Sequence, residues 1–501
     1  MEWFVWLLIV FLVSCFCEIR ARQAKIRKAM KYEPEPIWGA SFATEKQLRQ
    51  AGLFRREGSP LGYAYDSGKP LHFPGKRKVH RLTFGGSGVG KTSHLIEIAA
   101  EWPHSLVVPH DIGGELAFTT AHYRRKFGKV VIVDFYGLRP DLLSGLRRGC
   151  YNAIGPHWIN PNDRLTFGPR ARKAATGAVY QEVEGNQRYW YRTATEVVQT
   201  VTMAVTKHEP ANDRHLRRVA EIINGDVFDY LRHIVRKTDD GSLKTRAQRW
   251  ANPKAEDIRS LSEVIENTRS ELEFLLDDPV AEGMRKSDFT FGDCRREVVT
   301  VYAVYPADVE ANRIARLLTS CAFCELMRED GKGNVKTMVM IDEFFSLGRM
   351  DLDQVFVTAR KYNCVLHLCL QDMGQLRQLH PQTHESFIGS AGVVQWLAGA
   401  SDIGGSEYVS SLCGETDYYT TGKTSGYNFG ADGKIAQTVN GSIGVQARRL
   451  VLPQEVRALG DREQILTVDG VKAPVLANTK PWWETSLRHK LRRNPYYRGG
   501  K

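Results

Sequence analysis

The apolar positions of this chain fall into three textures, and their order predicts an α/β fold interrupted by a helical block. Short β-branched runs bounded by polar residues come early: "HRLTF" (His80 to Phe84), "HSLVVPHDI" (His104 to Ile112) and "KVVIVDF" (Lys129 to Phe135). Such runs, alternating with helical stretches, predict a parallel sheet covered on both faces. From about Arg170 to Lys286 the period becomes helical, as in "YWYRTATEVVQTVTMAV" (Tyr189 to Val205) and "EDIRSLSEVIENTRSELEFLL" (Glu256 to Leu276). Strands resume with "EVVTVYAVYP" (Glu297 to Pro306), "VKTMVMIDEF" (Val335 to Phe344), "CVLHLCLQD" (Cys364 to Asp372) and "GVVQWLAG" (Gly392 to Gly399). The pattern divides the chain into an α/β part over 61–169, an all-helical part over 170–286 and a second α/β part over 287–480. Within the last, "TSGYNFGADGKIAQTVNGSIG" (Thr424 to Gly444) is polar and Gly-rich and reads as a mobile loop or a hairpin.

The two ends differ from this middle. Trp3 to Cys17 is an uncharged apolar run of about fifteen residues, slightly short of the ~20 of a spanning helix. Only Glu2 precedes it, whereas Arg20, Arg22, Lys25, Arg27, Lys28 and Lys31 follow. A cleaved signal needs its positive charge in front, so the run reads as a single uncleaved anchor over 1–19. The positive-inside rule then keeps the bulk of the chain cytoplasmic, beyond a basic juxtamembrane segment over 20–60. The tail over 481–501, ending "SLRHKLRRNPYYRGGK", is basic and is expected to lack order.

Composition narrows the partners. The 501 residues are 42% hydrophobic and 25% charged, an ordinary globular balance, with a formal net charge of +12 that favours an anionic partner such as nucleic acid or a membrane surface. The nine cysteines show no disulfide framework. Cys321 and Cys324 form a lone CxxC on an apolar helical pattern, which points to buried thiols in a reducing compartment rather than to zinc.

Two segments carry recognisable chemistry. "GGSGVGKT" fits the phosphate-binding pattern G-x-x-x-x-G-K-[ST], with Gly85, Gly86, Ser87, Gly88 and Gly90 forming the loop before Lys91 and Thr92. An apolar strand enters it and an amphipathic helix leaves it, so backbone N–H groups can surround a β-phosphate at a helix N-terminus. Lys91 would reach the β- and γ-phosphates of ATP, and Thr92 would ligate Mg²⁺. The second segment is "TMVMIDEF", where four apolar residues end in Asp342, a holder for Mg²⁺, and Glu343, a base for water. Arg360, in "VTARKYN", suits an arginine finger offered to a neighbouring subunit, or an ordinary surface position. Gln371 ends the next apolar strand, where it could sense a γ-phosphate or simply cap a turn.

Further stretches resemble the type IV secretion coupling proteins, the TraG-like membrane ATPases of conjugation. They are "WPHSLVVPHDIGGEL" with Asp111, Gly114 and Glu115, "YNAIGP" (Tyr151 to Pro156), "MIDEFFSLGRM", "CLQDMGQL" around Gln371 and Gln375, and "RRLVLPQEVRALGDREQILTVDG" (Arg448 to Gly470). The resemblance implies a RecA-like nucleotide-binding domain with an inserted all-alpha domain, assembled as a homo-hexamer at the inner membrane. It implies ATP hydrolysis coupled to export of single-stranded DNA with its relaxase and relaxosome proteins through the secretion channel, and in some relatives export of proteins. Two departures stand out: one anchor where the family commonly has two, and Gly113 where the family usually has Lys. A double-stranded DNA pump of the FtsK/HerA kind, or a substrate receptor that uses ATP as a switch, would share the same motor residues.

Overall fold

The computed structural model describes residue 20 and residues 39–179, 188–251, 258–307, 310–328, 333–350, 352–400, 402–429 and 435–496. The anchor proposed for 1–19 lies outside them, as do residues 21–38 of the basic segment that follows it. Among the described residues no helix is long and apolar enough to cross a membrane. They form two compact units: one holds residues 42–412 and 451–496, the other residues 39–41 and 413–450.

The larger unit is organised by a twelve-stranded sheet. In chain order its strands are β1 (Ser59–Ala64), β2 (Pro70–Phe73), β3 (Arg81–Phe84), β4 (Ser105–Ile112), β5 (Lys129–Val133), β6 (Arg147–Arg148), β7 (Val299–Tyr305), β8 (Thr337–Ile341), β9 (Cys364–Leu370) and β10 (Val393–Leu397). After the residues of the smaller unit, where β11 (Glu415–Phe429) and β12 (Ile435–Arg449) lie, come β13 (Glu463–Val468) and β14 (Val475–Asn478). The spatial order is β2-β1-β14-β13-β10-β3-β9-β8-β4-β7-β5-β6. Every pairing from β10 to β6 is parallel. The pairings from β10 through β13, β14 and β1 to β2 are antiparallel. The sheet is therefore mixed: the parallel sheet expected from the sequence runs from β10 to β6, and antiparallel strands extend it beyond β10. Strands β3, β7, β8 and β9 are buried at every residue, which is why they read as unbroken runs instead of alternating ones.

The connections decide what the strand ends bring together. From β3 the chain passes through helix α1 (Lys91–Glu101) to β4, three places along the sheet, and the later strands β8 and β9 fill the gap. Helix α2 (Glu115–Arg124) follows β4. The long crossover from β6 to β7 holds the helical block, with α3 (Phe167–Ala178), α4 (Arg188–His208), α5 (Leu216–Asn224), α6 (Val227–Lys237), α7 (Gly241–Ala251) and α8 (Ile258–Leu272). Helix α9 (Ala311–Leu326) then links β7 to β8 and carries Cys321 and Cys324. Cys321 is buried, and among the described residues no group of three or more His, Cys, Asp or Glu side chains gathers as a metal site.

The main core joins α1 and α2 to the sheet through Leu95, Ile98, Leu116, Phe118, Val108 and Met340. The tail belongs to it too. Trp482, Leu487 and Leu491 are buried in this cluster, the Trp482 N–H donates to Ser93 Oγ at 3.1 Å, and the Arg492 N–H donates to Thr119 O at 3.3 Å. The expectation of a disordered tail is thus overturned for residues 481–496: three apolar side chains outweigh the basic composition around them. In the smaller unit β11 and β12 pair antiparallel from Glu415↔Arg449 to Phe429↔Ile435. The Gly-rich segment is a hairpin, and its ladder begins nine residues before Thr424. Gly39 bridges to Thr416 at its base, and the Ala40 N–H donates to Glu415 O at 3.0 Å.

Because Trp482 fills core space, Trp482→Ala is expected to lower the unfolding free energy by about 3 kcal/mol. Chemical denaturation of the full chain measures this; a dispensable tail would lose less than about 0.5 kcal/mol.

Candidate active site

The site lies at the carboxyl ends of β3, β9, β8 and β4, where open α/β sheets bind ligands. At the end of β3 the Gly85 N–H donates to Leu370 O of β9 at 3.1 Å, which fixes where the loop leaves the sheet. Gly88 and Gly90 have φ of 81° and 90°, in the left-handed region that side chains disfavour. Gly90 is the N-cap of α1 and offers no side chain, so the first N–H groups of the helix remain for a ligand. A Cβ on Gly85 would meet Val89 Cγ2 at 2.8 Å, so the loop closes tightly only around glycine. The Lys91 ammonium donates to Gly85 O at 2.6 Å and Gly86 O at 2.9 Å, spanning the mouth of the loop.

The second half arrives from β8. Thr92 Oγ1 donates to Asp342 Oδ2 at 3.2 Å, joining residues 250 positions apart. Burial raises the Asp342 carboxyl above its ordinary range, against the pull of Lys91 and the Thr92 hydrogen bond. Glu343, next in the chain, is also raised by burial; Lys91 opposes the rise and the Asp342 charge adds to it. From the end of β9, Gln371 Nε2 reaches Glu343 Oε1 at 3.5 Å. Its backbone N–H donates to Gln375 Oε1 at 2.8 Å, while the Gln375 N–H donates to Asp372 Oδ1 at 2.8 Å, capping helix Met373–Leu379. The Gln371 and Gln375 of "CLQDMGQL" thus form one clasp at the strand end.

Two further acids border this group. Asp111, at the end of β4, accepts from the Leu116 and Ala117 N–H groups at 3.2 and 2.8 Å and so caps α2. Burial pushes its carboxyl up to about 8; those N–H groups lower it, and the charges of Glu115 and Asp342 raise it further. Gly113 and Gly114 take φ of 74° and 73° to turn the chain from β4 into α2. The Gly113 carbonyl accepts from the Tyr496 hydroxyl, whose oxygen lies 3.3 Å from where a Cβ on Gly113 would sit. A lysine stem in place of Gly113 would run against that tyrosine. Glu115, raised mainly by burial, accepts from Asn494 Nδ2. The tail therefore reaches the border of the site, which basic composition gave no reason to expect.

Of the residues expected from sequence, the structure brings together Gly85, Gly86, Ser87, Gly88, Gly90, Lys91, Thr92, Asp342, Glu343 and Gln371. Arg360 stands apart. It lies in the turn Ala359–Tyr362 that enters β9, at the amino end of the strand whose carboxyl end carries Gln371, roughly 20 Å of strand away. It is exposed, and its guanidinium donates to Arg77 O. It cannot serve the site of its own chain.

A family model described as type IV secretory system conjugative DNA transfer matches residues 23–495. The chain belongs to this family. Among its relatives, the conjugal transfer protein TraG of Agrobacterium fabrum is 24% identical, over 95% of this chain and 72% of TraG. VirD4 of Rhizobium rhizogenes is 22% identical, over 90% of this chain and 66% of VirD4. Among solved structures, the bacterial conjugative coupling protein TrwBdeltaN70 shares the fold with a TM-score of 0.65 at 17% identity, covering 90% of this chain and 95% of its own. TrwB in complex with ADP and Mg²⁺ aligns with a TM-score of 0.64 at 15% identity, over 90% of this chain and 96% of TrwB.

The cap on α2 gives a measurable cost. Asp111→Ala leaves two N–H groups without their acceptor and is expected to lower stability by roughly 1–2 kcal/mol, with Asp111→Asn losing less. Denaturation midpoints of the two variants should rank in that order.

Proposed function

We propose that this chain is the coupling ATPase of a conjugative type IV secretion system, driving single-stranded DNA with its relaxase into the export channel. The observation that carries the reading is the convergence of Lys91 and Thr92, Asp342 and Glu343, and Gln371 at three adjacent strand ends in a member of the conjugative DNA transfer family. Family membership also favours conjugation over an intracellular double-stranded DNA pump.

The donor set fits ATP and Mg²⁺. Glycines with left-handed backbone leave N–H groups for phosphate oxygens, and Lys91 adds a point charge beside them. Thr92 and Asp342 are the hydroxyl and carboxylate that would hold Mg²⁺. TrwB, which shares the fold, is known with ADP and Mg²⁺ bound, in keeping with this assignment. When bound, the metal neutralises charge on the phosphates. Glu343 is the base for the attacking water; its burial beside Asp342 makes it a better proton acceptor than a solvated glutamate. Gln371 bonds Glu343 through its side chain and Gln375 of the helix after β9 through its backbone N–H, so a change at the γ-phosphate can pass to that helix through this one residue.

Arg360 acts in trans. It lies at the amino end of β9, away from its own nucleotide site, and this supports a role toward the neighbouring subunit of a homo-hexamer. Residues 1–19 anchor the ring at the inner membrane, and the surplus of 69 Lys and Arg over 57 Asp and Glu suits a channel that tracks phosphate without reading sequence.

Two experiments test the motor. Lys91→Ala should abolish nucleotide binding and DNA transfer. Glu343→Gln should still bind nucleotide but hydrolyse it at least about 100-fold more slowly, with both variants still membrane-associated. Normal transfer by both would overturn the reading. For Arg360, Arg360→Ala and Glu343→Gln chains are each expected to be inactive alone and to recover hydrolysis when mixed, because a Glu343→Gln chain can lend its arginine to an intact Glu343. Failure of the mixture to recover would remove Arg360 from the mechanism.

A further inference from the structure

Beneath the phosphate-binding loop, one side of the interface between the sheet and α1 is polar where a core is ordinarily apolar. Arg81 and Thr83 of β3, His367 of β9, Gln395 of β10 and Gln464 of β13 are each no more than 1% exposed, and His94 and Glu97 of α1 are buried against them. Their contacts close into a circuit. Arg81 Nη1 donates to Ser59 Oγ at 2.5 Å and Pro60 O at 2.8 Å, and Nη2 lies 3.4 Å from both His94 Nε2 and Gln395 Oε1. A guanidinium only donates, so His94 Nε2 accepts and its proton sits on Nδ1, which faces Glu97 Oε2 at 3.7 Å. Glu97 Oε1 accepts from the Tyr63 hydroxyl at 3.2 Å. On the other branch Gln395 Oε1 also takes the Thr83 hydroxyl at 3.4 Å, Gln395 Nε2 donates to Gln464 Oε1, and Gln464 Nε2 donates to Leu61 O at 2.8 Å. Both branches end on β1, at Ser59, Pro60, Leu61 and Tyr63.

This circuit brackets the loop. Thr83 stands two residues before Gly85, and His94 three residues after Lys91. Nη1 and Nη2 of Arg81 meet four partners while its buried Nε meets none, so an arrangement that released the fork would leave further donors of the same charge unmet. The Arg81 fork thus links the first turn of α1, through His94, to β1 and β10. We propose that Arg81 and Gln395 are positioning residues that set the geometry of the phosphate-binding loop and tie nucleotide occupancy to strand β1. The proposal rests on the nucleotide reading above. It adds a route by which the antiparallel edge of the sheet and the nucleotide site sense each other.

The test measures affinity for ADP with Mg²⁺ on the full chain in detergent, at a temperature where every variant is folded. Arg81→Met keeps length and removes the donors; it is expected to weaken binding about tenfold, with Arg81→Lys recovering part of the loss. Leu231→Ala, in the core of the helical block on α6, supplies a destabilised control expected to bind within about twofold of wild type. Should Arg81→Met fail to fold, Gln395→Met is read in its place, with the same expectation. Amide exchange at residues 59–63 should slow several-fold on adding ADP and Mg²⁺ to wild type, but not to Arg81→Met or Gln395→Met. Wild-type affinity in Arg81→Met, or an equal loss in Leu231→Ala, overturns the proposal. A wild-type chain that does not bind ADP overturns the nucleotide reading itself, and so the two failures are distinguished.

Discussion

Parallel pairing of β3, β9 and β8 is the constraint on which the rest of this molecule depends. Three strands that run the same way and end level deliver three loops to one edge, and here those loops carry Gly85 to Thr92, Gln371, and Asp342 with Glu343. Parallel neighbours cannot be joined by a tight turn, so each pairing demands a crossover. The chain uses that demand twice. It places α1 directly behind the loop, and it lengthens the crossover between β6 and β7 into the helical block. The block can therefore vary without disturbing the edge, because both its ends are fixed on strands on the far side of β4.

Charge is the second constraint, and it follows from the first. Levelling β4 and β8 beside the loop brings Asp111, Glu115, Asp342 and Glu343 near one another, and each is raised chiefly by burial. Lys91 is the cation that acts on both Asp342 and Glu343. Such an arrangement is costly in isolation and is relieved by a divalent cation or by hydrogen-bond donors. The protein meets part of the cost itself: α2 gives two N–H groups to Asp111, Asn494 gives its amide to Glu115, and Thr92 gives its hydroxyl to Asp342.

What could be read from the sequence follows the range of each interaction. The loop was legible because its chemistry is local: glycines, lysine and threonine within eight residues, between a strand and a helix. Asp342 and Glu343 were legible because a fully buried strand announces itself as Met338 to Ile341 and then stops at charge. The helical block was legible from its period. The antiparallel pairing of β1, β13 and β14 was not, because it joins segments far apart in the chain, as Tyr63 pairs with Asn478 and Val393 with Val468. Arg360 could be assigned a chemistry but not an end of the sheet, since side-chain type does not record which way a strand runs. The polar circuit left a faint trace: Arg81 and Thr83 sit at alternate positions of a strand too short and too central to have a solvent face. Gln395 in "GVVQWLAG" is the same kind of mark.

The tail and the circuit grip the same helix from different sides. Trp482 holds Ser93, the neighbour of Thr92, through a backbone hydrogen bond, while Arg81 faces His94, the residue after it. The tail then continues over α2 to Thr119, Glu115 and Gly113. The first turn of α1 is thus braced by the distant tail at Ser93 and by the neighbouring strand β3 at His94, and the start of α2 shares the first of those braces. A loop whose glycines make it locally permissive is in this way given a single position by its surroundings. Any movement of α1 that accompanies the nucleotide cycle must be transmitted to β1 through the circuit, to α2 through the tail, or to both.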